Sequence, residues 1–171
     1  MALLRRPPGQ SIRVVLASGL LLGLMPVAPG SFGALPGVGI HIAAYLLLPA
    51  AWLRPTLVIA FILLTVLHVY LTPWAIEYWQ DEDPKHFVLD EVLGYLVVPI
   101  LLAGQLPATY LATGGFVLFR VFDIVKVPPA AQIDRHMHGA AGILLDDVVS
   151  GVYAAATLYA ITALTGQPAL R

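Results

Sequence analysis

Residues 139–148 read GAAGILLDDV, and they carry two adjacent aspartates, Asp146 and Asp147, into an apolar segment that occupies 143–164. A charged side chain at the centre of a membrane helix costs roughly 2.5–3.5 kcal/mol on insertion scales, so a carboxylate there is by default functional. Neighbouring carboxylates removed from water also need a cation or protons to coexist. The stretch therefore predicts a membrane helix that carries an acidic site near its start.

The composition around this stretch is that of an integral membrane protein. Of the 171 residues, 59% are hydrophobic and 11% are charged, whereas roughly 25% are charged in an average soluble domain. Bilayer hydrocarbon cannot satisfy unpaired backbone groups, and the chain lacks the regular alternation of a membrane barrel, so helices must span. We predict an all-α fold, a polytopic integral membrane helical bundle with short or re-entrant helices and an interfacial polar site.

Charge and cysteine content exclude several kinds of function. The formal net charge is −1 and no basic stripe is present, which argues against a nucleic-acid partner because phosphates would not be neutralised. The absence of cysteine removes disulfides, thiolate nucleophiles and zinc–thiolate sites. The chemistry is therefore left to oxygen and nitrogen groups, and the composition indicates no particular oligomeric state.

We interpret residues 1–171 as a single membrane domain with an N-terminal segment at 1–28 and a core at 29–164. The apolar stretch at 12–25 is shorter than the ~20 residues that cross a bilayer, which favours an interfacial or re-entrant segment over a spanning one. Its basic residues are expected to form a cytoplasmic flank: Arg5, Arg6 and Arg13.

The remaining apolar segments give a parity argument for the location of the site. They occupy residues 38–53, 56–71, 92–102 and 109–122. Proline and glycine predict tight turns at Arg54–Pro55 and at 105–108. If every segment crosses the bilayer, polar stretches far apart in sequence reach the same membrane face: 29–37, 77–90, 120–126 and 146–147.

Asp90 and Glu91 are a second acidic pair, placed at the expected start of a helix. A carboxylate there also complements the helix macrodipole, so the pair alone does not establish a site. Adjacent side chains point about 100° apart on a helix, and we expect one carboxylate to face the site while the other orients it. Gly94 follows one turn after Asp90 and predicts a close helix neighbour.

Arg120, Asp123 and Lys126 repeat at i, i+3 and i+6, which places them along one helical stripe. Such a stripe suits a phosphate, because arginine grips it with a planar fork and lysine adds a point charge. Asp123 could bind a metal or orient the arginine. An interfacial Arg–Asp pair with a snorkelling lysine is the plainer alternative.

Several further residues are weaker candidates. His138 could serve as a general acid or a phosphate donor, and Ser31 lies in a Pro–Gly turn that could present a hydroxyl to an anion. Most of the mixed-charge loop around Asp83 is expected to be solvated, with Asp83 itself as the exception. His41 and His68 lie in apolar segments without spaced partners, so we expect structural contacts.

Together these residues resemble the phosphatidylglycerophosphatase A family, a group of small membrane lipid phosphatases, over roughly residues 29–159. Each piece is weak alone, but their order and spacing are specific. The resemblance is carried by Pro29-Gly30-Ser31-Phe32-Gly33, Asp83, Asp90-Glu91 with Gly94, Phe119-Arg120 with Asp123 and Lys126, Asp134-Arg135 with His138-Gly139, and Gly142-Ile143 with Asp146-Asp147 and Gly151.

The resemblance implies Mg²⁺-dependent hydrolysis of phosphatidylglycerophosphate to phosphatidylglycerol and phosphate. It places the reaction at the cytoplasmic face of a bacterial inner membrane, with membrane lipids as further partners. Mg²⁺ also suits an oxygen-only acidic site and bridges to phosphate oxygens. The expected metal ligands are Asp83, Asp90, Glu91, Asp146 and Asp147. The expected phosphate contacts are Ser31, Arg120, Lys126 and Arg135. The expected catalytic residues are Asp90, Asp123 and His138.

Two alternatives remain open at the level of sequence. Water activated by a carboxylate and a nucleophilic aspartate both fit the residues, and Asp123 could be a metal ligand or the base. A transporter or ion-coupling protein that uses intramembrane carboxylates would require charges near the midplane and symmetric repeats. Asp90-Glu91-Val92 and Asp146-Asp147-Val148 are alike, but three residues are too few for a repeat.

Overall fold

The computed structural model describes residues 8–165, with side chains from 11 to 165, so the expected flank at Arg5 and Arg6 lies outside the described residues. Over this range the chain is helical and has no strand, which confirms the all-α prediction. The helices are α1 (Pro8–Ala17), α2 (Pro29–Gly33), α3 (Leu35–Leu47), α4 (Ala50–Trp79), α5 (Leu89–Leu102), α6 (Ala108–Tyr110), α7 (Phe116–Val125), α8 (Ala130–His136) and α9 (Gly139–Leu164).

Within residues 8–165, four helical stretches are long and apolar enough to cross a membrane. They are Pro29–Leu47, Ala50–Trp79, Ala108–Val125, which includes a π-helical turn at Leu111–Gly115, and Gly139–Leu164. The 14-residue helix α5 is buried along most of its length and packs against α3, α4, α7 and α9. The predicted polytopic helical bundle is confirmed, and the short helix α5 lies at its centre.

The predicted turn at Arg54–Pro55 is wrong. The chain instead turns at Leu48 and Pro49, and α4 continues through both Pro55 and Pro73. A proline in a membrane helix is tolerated where its surroundings satisfy the freed backbone groups. Leu53 and Leu57 are 8% and 0% exposed, so the burial of one helical face on either side of Pro55 favours a continuous helix.

The N-terminal apolar stretch at 12–25 is broken, so it is not a single spanning helix. Helix α1 ends at Ala17, and Gly19, Leu20 and Leu21 all have positive φ. The N–H of Val88 donates to the carbonyl of Ala17 at 3.0 Å, which attaches this segment to the chain just before α5.

Helices α5 and α9 cross with their backbones in direct contact at Gly94 and Gly151. A Cβ atom on Gly94 would lie 2.5 Å from Cε2 of Phe119 and 2.9 Å from the carbonyl oxygen of Asp147. A Cβ atom on Gly151 would collide with the carbonyl oxygen of Gly94. The close approach predicted at Gly94 is therefore confirmed, and it brings the start of α5 beside the acidic pair of α9.

The two histidines of the apolar segments make structural contacts, as expected. Nδ1 of His41 lies 2.9 Å from the hydroxyl of Tyr95, and Nε2 of His68 lies 3.0 Å from the carbonyl oxygen of Ala140. Both imidazoles are fully buried. They join α3 to α5 and α4 to α9.

Gly151→Ala is expected to destabilise the bundle by about 1–3 kcal/mol, because overpacking must move α5 away from α9. Gly39→Ala is the matched control, since a Cβ atom there meets nothing within 4 Å and alanine favours a helix. Thermal unfolding in detergent, followed by circular dichroism, measures both. Equal melting temperatures for the two variants would contradict the tight crossing.

Candidate active site

A cavity of about 240 Å³ lies where the start of α5, the end of α7 and the first turns of α9 converge. Its walls hold eight charged groups, of which all but Lys85 are predicted for the site by the sequence. These are Asp83, Lys85, Asp90, Glu91, Asp123, Lys126, Asp146 and Asp147. The helix crossings bring three of the four polar stretches of the parity argument into one cavity, and their location at one membrane face stays a prediction.

Three carboxylates form the centre of this cavity: Asp90, Glu91 and Asp147. Each offers an oxygen, and these oxygens all lie within 4.8 Å of one another. Asp90 and Asp147 are only 8% and 3% exposed. Both members of the Asp90–Glu91 pair reach the same point, unlike the expected division of roles, because the longer side chain of Glu91 bridges the 100° offset on the helix.

The carboxylates of this triad lack the partners that buried charges require. Oδ1 of Asp90, Oε2 of Glu91 and Oδ2 of Asp147 have no hydrogen-bond partner among the described residues. A buried carboxylate without compensation is costly, so such groups are normally paired or coordinate a metal. A set of converging oxygen donors fits a hard divalent cation such as Mg²⁺.

Arg120 and Asp123 form an ion pair beside the triad. Nη1 of Arg120 lies 2.8 Å from Oδ2 of Asp123, with both side chains 13% exposed, and Asp123 is within hydrogen-bonding reach of Asp147. Although Nη1 lies within ion-pair distance of Asp123, neither Nε nor Nη1 of Arg120 makes a hydrogen bond of proper geometry within residues 8–165. The ion pair with Asp123 therefore leaves some of the guanidinium N–H groups without a hydrogen-bond partner among the described residues.

The short helix α2 covers Arg120 and Glu91 with backbone rather than with a side chain. A Cβ atom on Gly30 would lie 2.8 Å from Nη2 of Arg120 and would collide with Oε1 of Glu91. Ser31, the next residue, is half-buried but does not line the acidic cavity. Gly30 therefore admits the close contact, and Ser31 lies beside the site.

Lys126 ends α7 in the left-handed conformation, with φ of 49°. Its Nζ lies 2.7 Å from Oδ2 of Asp146 and 2.5 Å from Oδ1 of Asp134. Burial lowers the pKa of Lys126, but the hydrogen bonds to Asp134 and Asp146 outweigh it and raise the pKa above its usual value. Lys126 thus compensates Asp146, which stands apart from the triad.

The other predicted site residues occupy more peripheral positions. Asp83 lines the acidic cavity, and so does Lys85. The sequence places Lys85 in the loop expected to be solvated, and only its nearness to Asp90 in the sequence could have indicated its position at the cavity. Arg135 is exposed on α8. The side chain of His138 is 72% exposed and 4.0 Å from Glu82, next to a separate cavity of about 180 Å³. Neither Arg135 nor His138 lines the acidic cavity.

A polytopic helical protein with a buried carboxylate cluster beside an arginine that keeps unpartnered N–H groups has the parts of a membrane enzyme suited to phosphate chemistry. The family model of phosphatidylglycerophosphatase A matches residues 15–162. The chain belongs to the phosphatidylglycerophosphatase A family, which confirms the resemblance found in the sequence and makes the protein a phosphatase of phosphate monoesters. Membership does not favour a transporter.

Named relatives align with most of the chain. A Bacteroides thetaiotaomicron protein with the provisional name phosphatidylinositol-3-phosphatase is 37% identical over 82% of this chain and 87% of its own length. Phosphatidylglycerophosphatase A of Escherichia coli is 33% identical over 86% of this chain and 81% of its own, and that of Haemophilus influenzae is 31% identical over 86% of each. No solved structure matches the chain significantly.

Lys126→Met is expected to destabilise the protein by about 1–3 kcal/mol, because it leaves the buried carboxylate of Asp146 without its partner. Lys85→Met removes an exposed lysine from the same cavity and is the matched control. Chemical or thermal unfolding of the purified proteins measures the difference. A loss for Lys126→Met no larger than for Lys85→Met would show that the ion pair adds nothing to stability.

Proposed function

We propose that the protein hydrolyses phosphatidylglycerophosphate to phosphatidylglycerol and inorganic phosphate in a reaction that depends on Mg²⁺. The observation that carries the proposal is the unpaired carboxylate triad beside Arg120, in a chain of this family. The names of the Escherichia coli and Haemophilus influenzae relatives support this lipid as the substrate.

Asp90, Glu91 and Asp147 would hold the metal, and their unpartnered oxygens support this assignment. Asp83 is a further candidate ligand at the wall of the cavity. Asp146 is better suited to position Lys126, since one of its oxygens already accepts from that ammonium group. A bound Mg²⁺ would offset phosphate charge and favour ionisation of water.

Arg120 would bind the phosphate through guanidinium N–H groups that Asp123 does not use, while the ion pair with Asp123 fixes the plane of the guanidinium. Lys126 remains charged and adds positive potential near Asp146 and Asp134. Such fixed charges stabilise the charge that develops on a transferring phosphoryl group. Ser31, Arg135 and His138 stay predictions as further contacts at the rim.

In the hydrolysis, a water oxygen bonds to phosphorus while the bond from phosphorus to the glycerol oxygen breaks. The proton of the attacking water goes to a carboxylate, for which Asp123 and Asp90 are the candidates, and the glycerol oxygen receives a proton to become a hydroxyl. A nucleophilic aspartate, with a phosphoenzyme that water then cleaves, is the alternative route.

The location of the cavity suits a substrate that stays in the bilayer. Ile124 lines the cavity and is 70% exposed, so an apolar wall leads from the surface of α7 to the acidic groups. Acyl chains could remain in the membrane while the headgroup reaches the cavity. We place this face on the cytoplasmic side of the bacterial inner membrane, by analogy with the family.

Phosphate release from the purified protein tests the reaction. The substrates are phosphatidylglycerophosphate, phosphatidic acid, phosphatidylinositol 3-phosphate and p-nitrophenyl phosphate, each with Mg²⁺ and with EDTA. We expect the fastest turnover on phosphatidylglycerophosphate, loss with EDTA and recovery with added Mg²⁺. Absence of metal-dependent release from all four would sink the proposal, and preference for the inositol lipid would reassign the substrate.

Glu91→Gln and Asp147→Asn should each lower kcat by at least about 100-fold, because each removes charge where metal and phosphate would meet. Glu77→Gln is the matched control, since Glu77 is exposed at the end of α4 and outside the cavity. The variants are compared by phosphate release and by melting temperature. Activity within about threefold of the wild type, or ~0.7 kcal/mol, would remove Glu91 or Asp147 from the site.

A further inference from the structure

A cavity larger than the acidic one lies at the opposite end of the helical bundle from the acidic site. It has a volume of about 810 Å³, between the end of α3, the start of α4 and the connection that follows α5. Most of its wall is apolar, and its polar lining includes His41, Arg54 and Gln105. Ligand cavities are typically of this size and character, roughly 300–1,000 Å³.

Arg54 brings a positive charge to the mouth of this cavity without a matching negative one. The ten Asp and Glu residues of the sequence all lie within 77–91, 123–134 and 146–147, toward the acidic end of the bundle. Nη2 of Arg54 donates to the carbonyl oxygen of Ala103 at 2.7 Å, which fixes the guanidinium at the mouth. Charge complementarity therefore calls for an anion from outside the chain.

A second polar group faces the same cavity from deeper in the bundle. His41 lines the cavity and is fully buried. Its Nδ1 pairs with the hydroxyl of Tyr95, whereas its Nε2 has no hydrogen-bond partner among the described residues. A ligand that extends inward from Arg54 and carries polar oxygens beyond its charged group would satisfy this nitrogen.

The surroundings of the mouth are those of a membrane interface. Trp52 and Tyr45 are 62% and 48% exposed on either side of the α3–α4 turn, as in the aromatic belts at which membrane helices meet lipid headgroups. Arginine pairs strongly with phosphate through its planar donor groups. A lipid from this leaflet therefore meets both the charge of Arg54 and the apolar wall.

We propose that this cavity is a binding site for an anionic glycerophospholipid of the leaflet opposite the acidic site. Its headgroup phosphate pairs with Arg54, an acyl chain fills the apolar wall, and the ester oxygens lie toward His41. The site is separate from the catalytic cavity, and the proposal stands whether or not the proposed substrate is correct.

Lipid retention tests the site. Protein purified in detergent is incubated with phosphatidylmethanol, an anionic lipid that is neither substrate nor product of the proposed reaction, or with phosphatidylcholine of the same acyl chains. Native mass spectrometry then counts the bound lipid. We expect the wild type to retain phosphatidylmethanol preferentially, and Arg54→Gln to weaken retention about tenfold through loss of one charge-assisted contact.

Three further variants separate charge, space and folding. Ala51→Leu fills the cavity without changing charge and should also weaken retention, whereas Arg54→Lys keeps the charge and should preserve most of it. Arg13→Gln is the matched control, because Arg13 lies over the ring of Trp74, away from this cavity, and should retain lipid like the wild type. Melting temperatures identify any variant that fails to fold.

Equal retention of the two lipids by the wild type, or unchanged retention in Arg54→Gln, would overturn the proposal. Loss of retention in Arg54→Lys as well would assign the effect to the contact with Ala103 rather than to charge, against the proposal. Displacement of phosphatidylmethanol by millimolar inorganic phosphate would indicate a site for a free anion instead of a lipid.

Discussion

The contact between the backbones of α5 and α9 is the constraint on which the rest of the structure depends. Gly94 and Gly151 leave no room for a Cβ atom at the crossing, and small residues are what allow membrane helices to approach so closely. Since Asp90 and Glu91 precede Gly94 by one turn or less, and Asp147 precedes Gly151 by one turn, this contact sets the separation of the three carboxylates. The acidic triad is thus a consequence of helix packing.

The charged groups around the triad divide into two kinds. Lys126 holds Asp146 and Asp134 in ion pairs, and Asp123 is paired with Arg120, so these contacts largely compensate one another. Asp90, Glu91 and Asp147 keep oxygens without partners. In a buried setting that imbalance favours a cation, and the N–H groups of Arg120 that Asp123 does not use favour an anion beside it.

The two ends of the bundle differ in charge. All of the carboxylates belong to one end, and the opposite end carries Arg54 without an acidic partner. Helix α5 connects them, with Asp90 and Glu91 at its start and Ala103, the acceptor from Arg54, just after its last residue. A short central helix therefore contributes to the acidic cavity at one end of the bundle and to the larger apolar cavity at the other.

The sequence by itself determined the all-helical membrane class, the family and the acidic residues of the site, because hydrophobic runs and ionisable groups within them are local properties of the chain. It could not determine that the chain turns at Leu48–Pro49 instead of Arg54–Pro55, because a proline tolerated within a membrane helix looks locally like a turn. Nor could it show that Asp147 joins the triad while Asp146 pairs with Lys126. The exposure of His138 was likewise not predictable from the sequence. Adjacent residues share a local pattern but point to different neighbours, so only the packing of α5, α7 and α9 decided their partners.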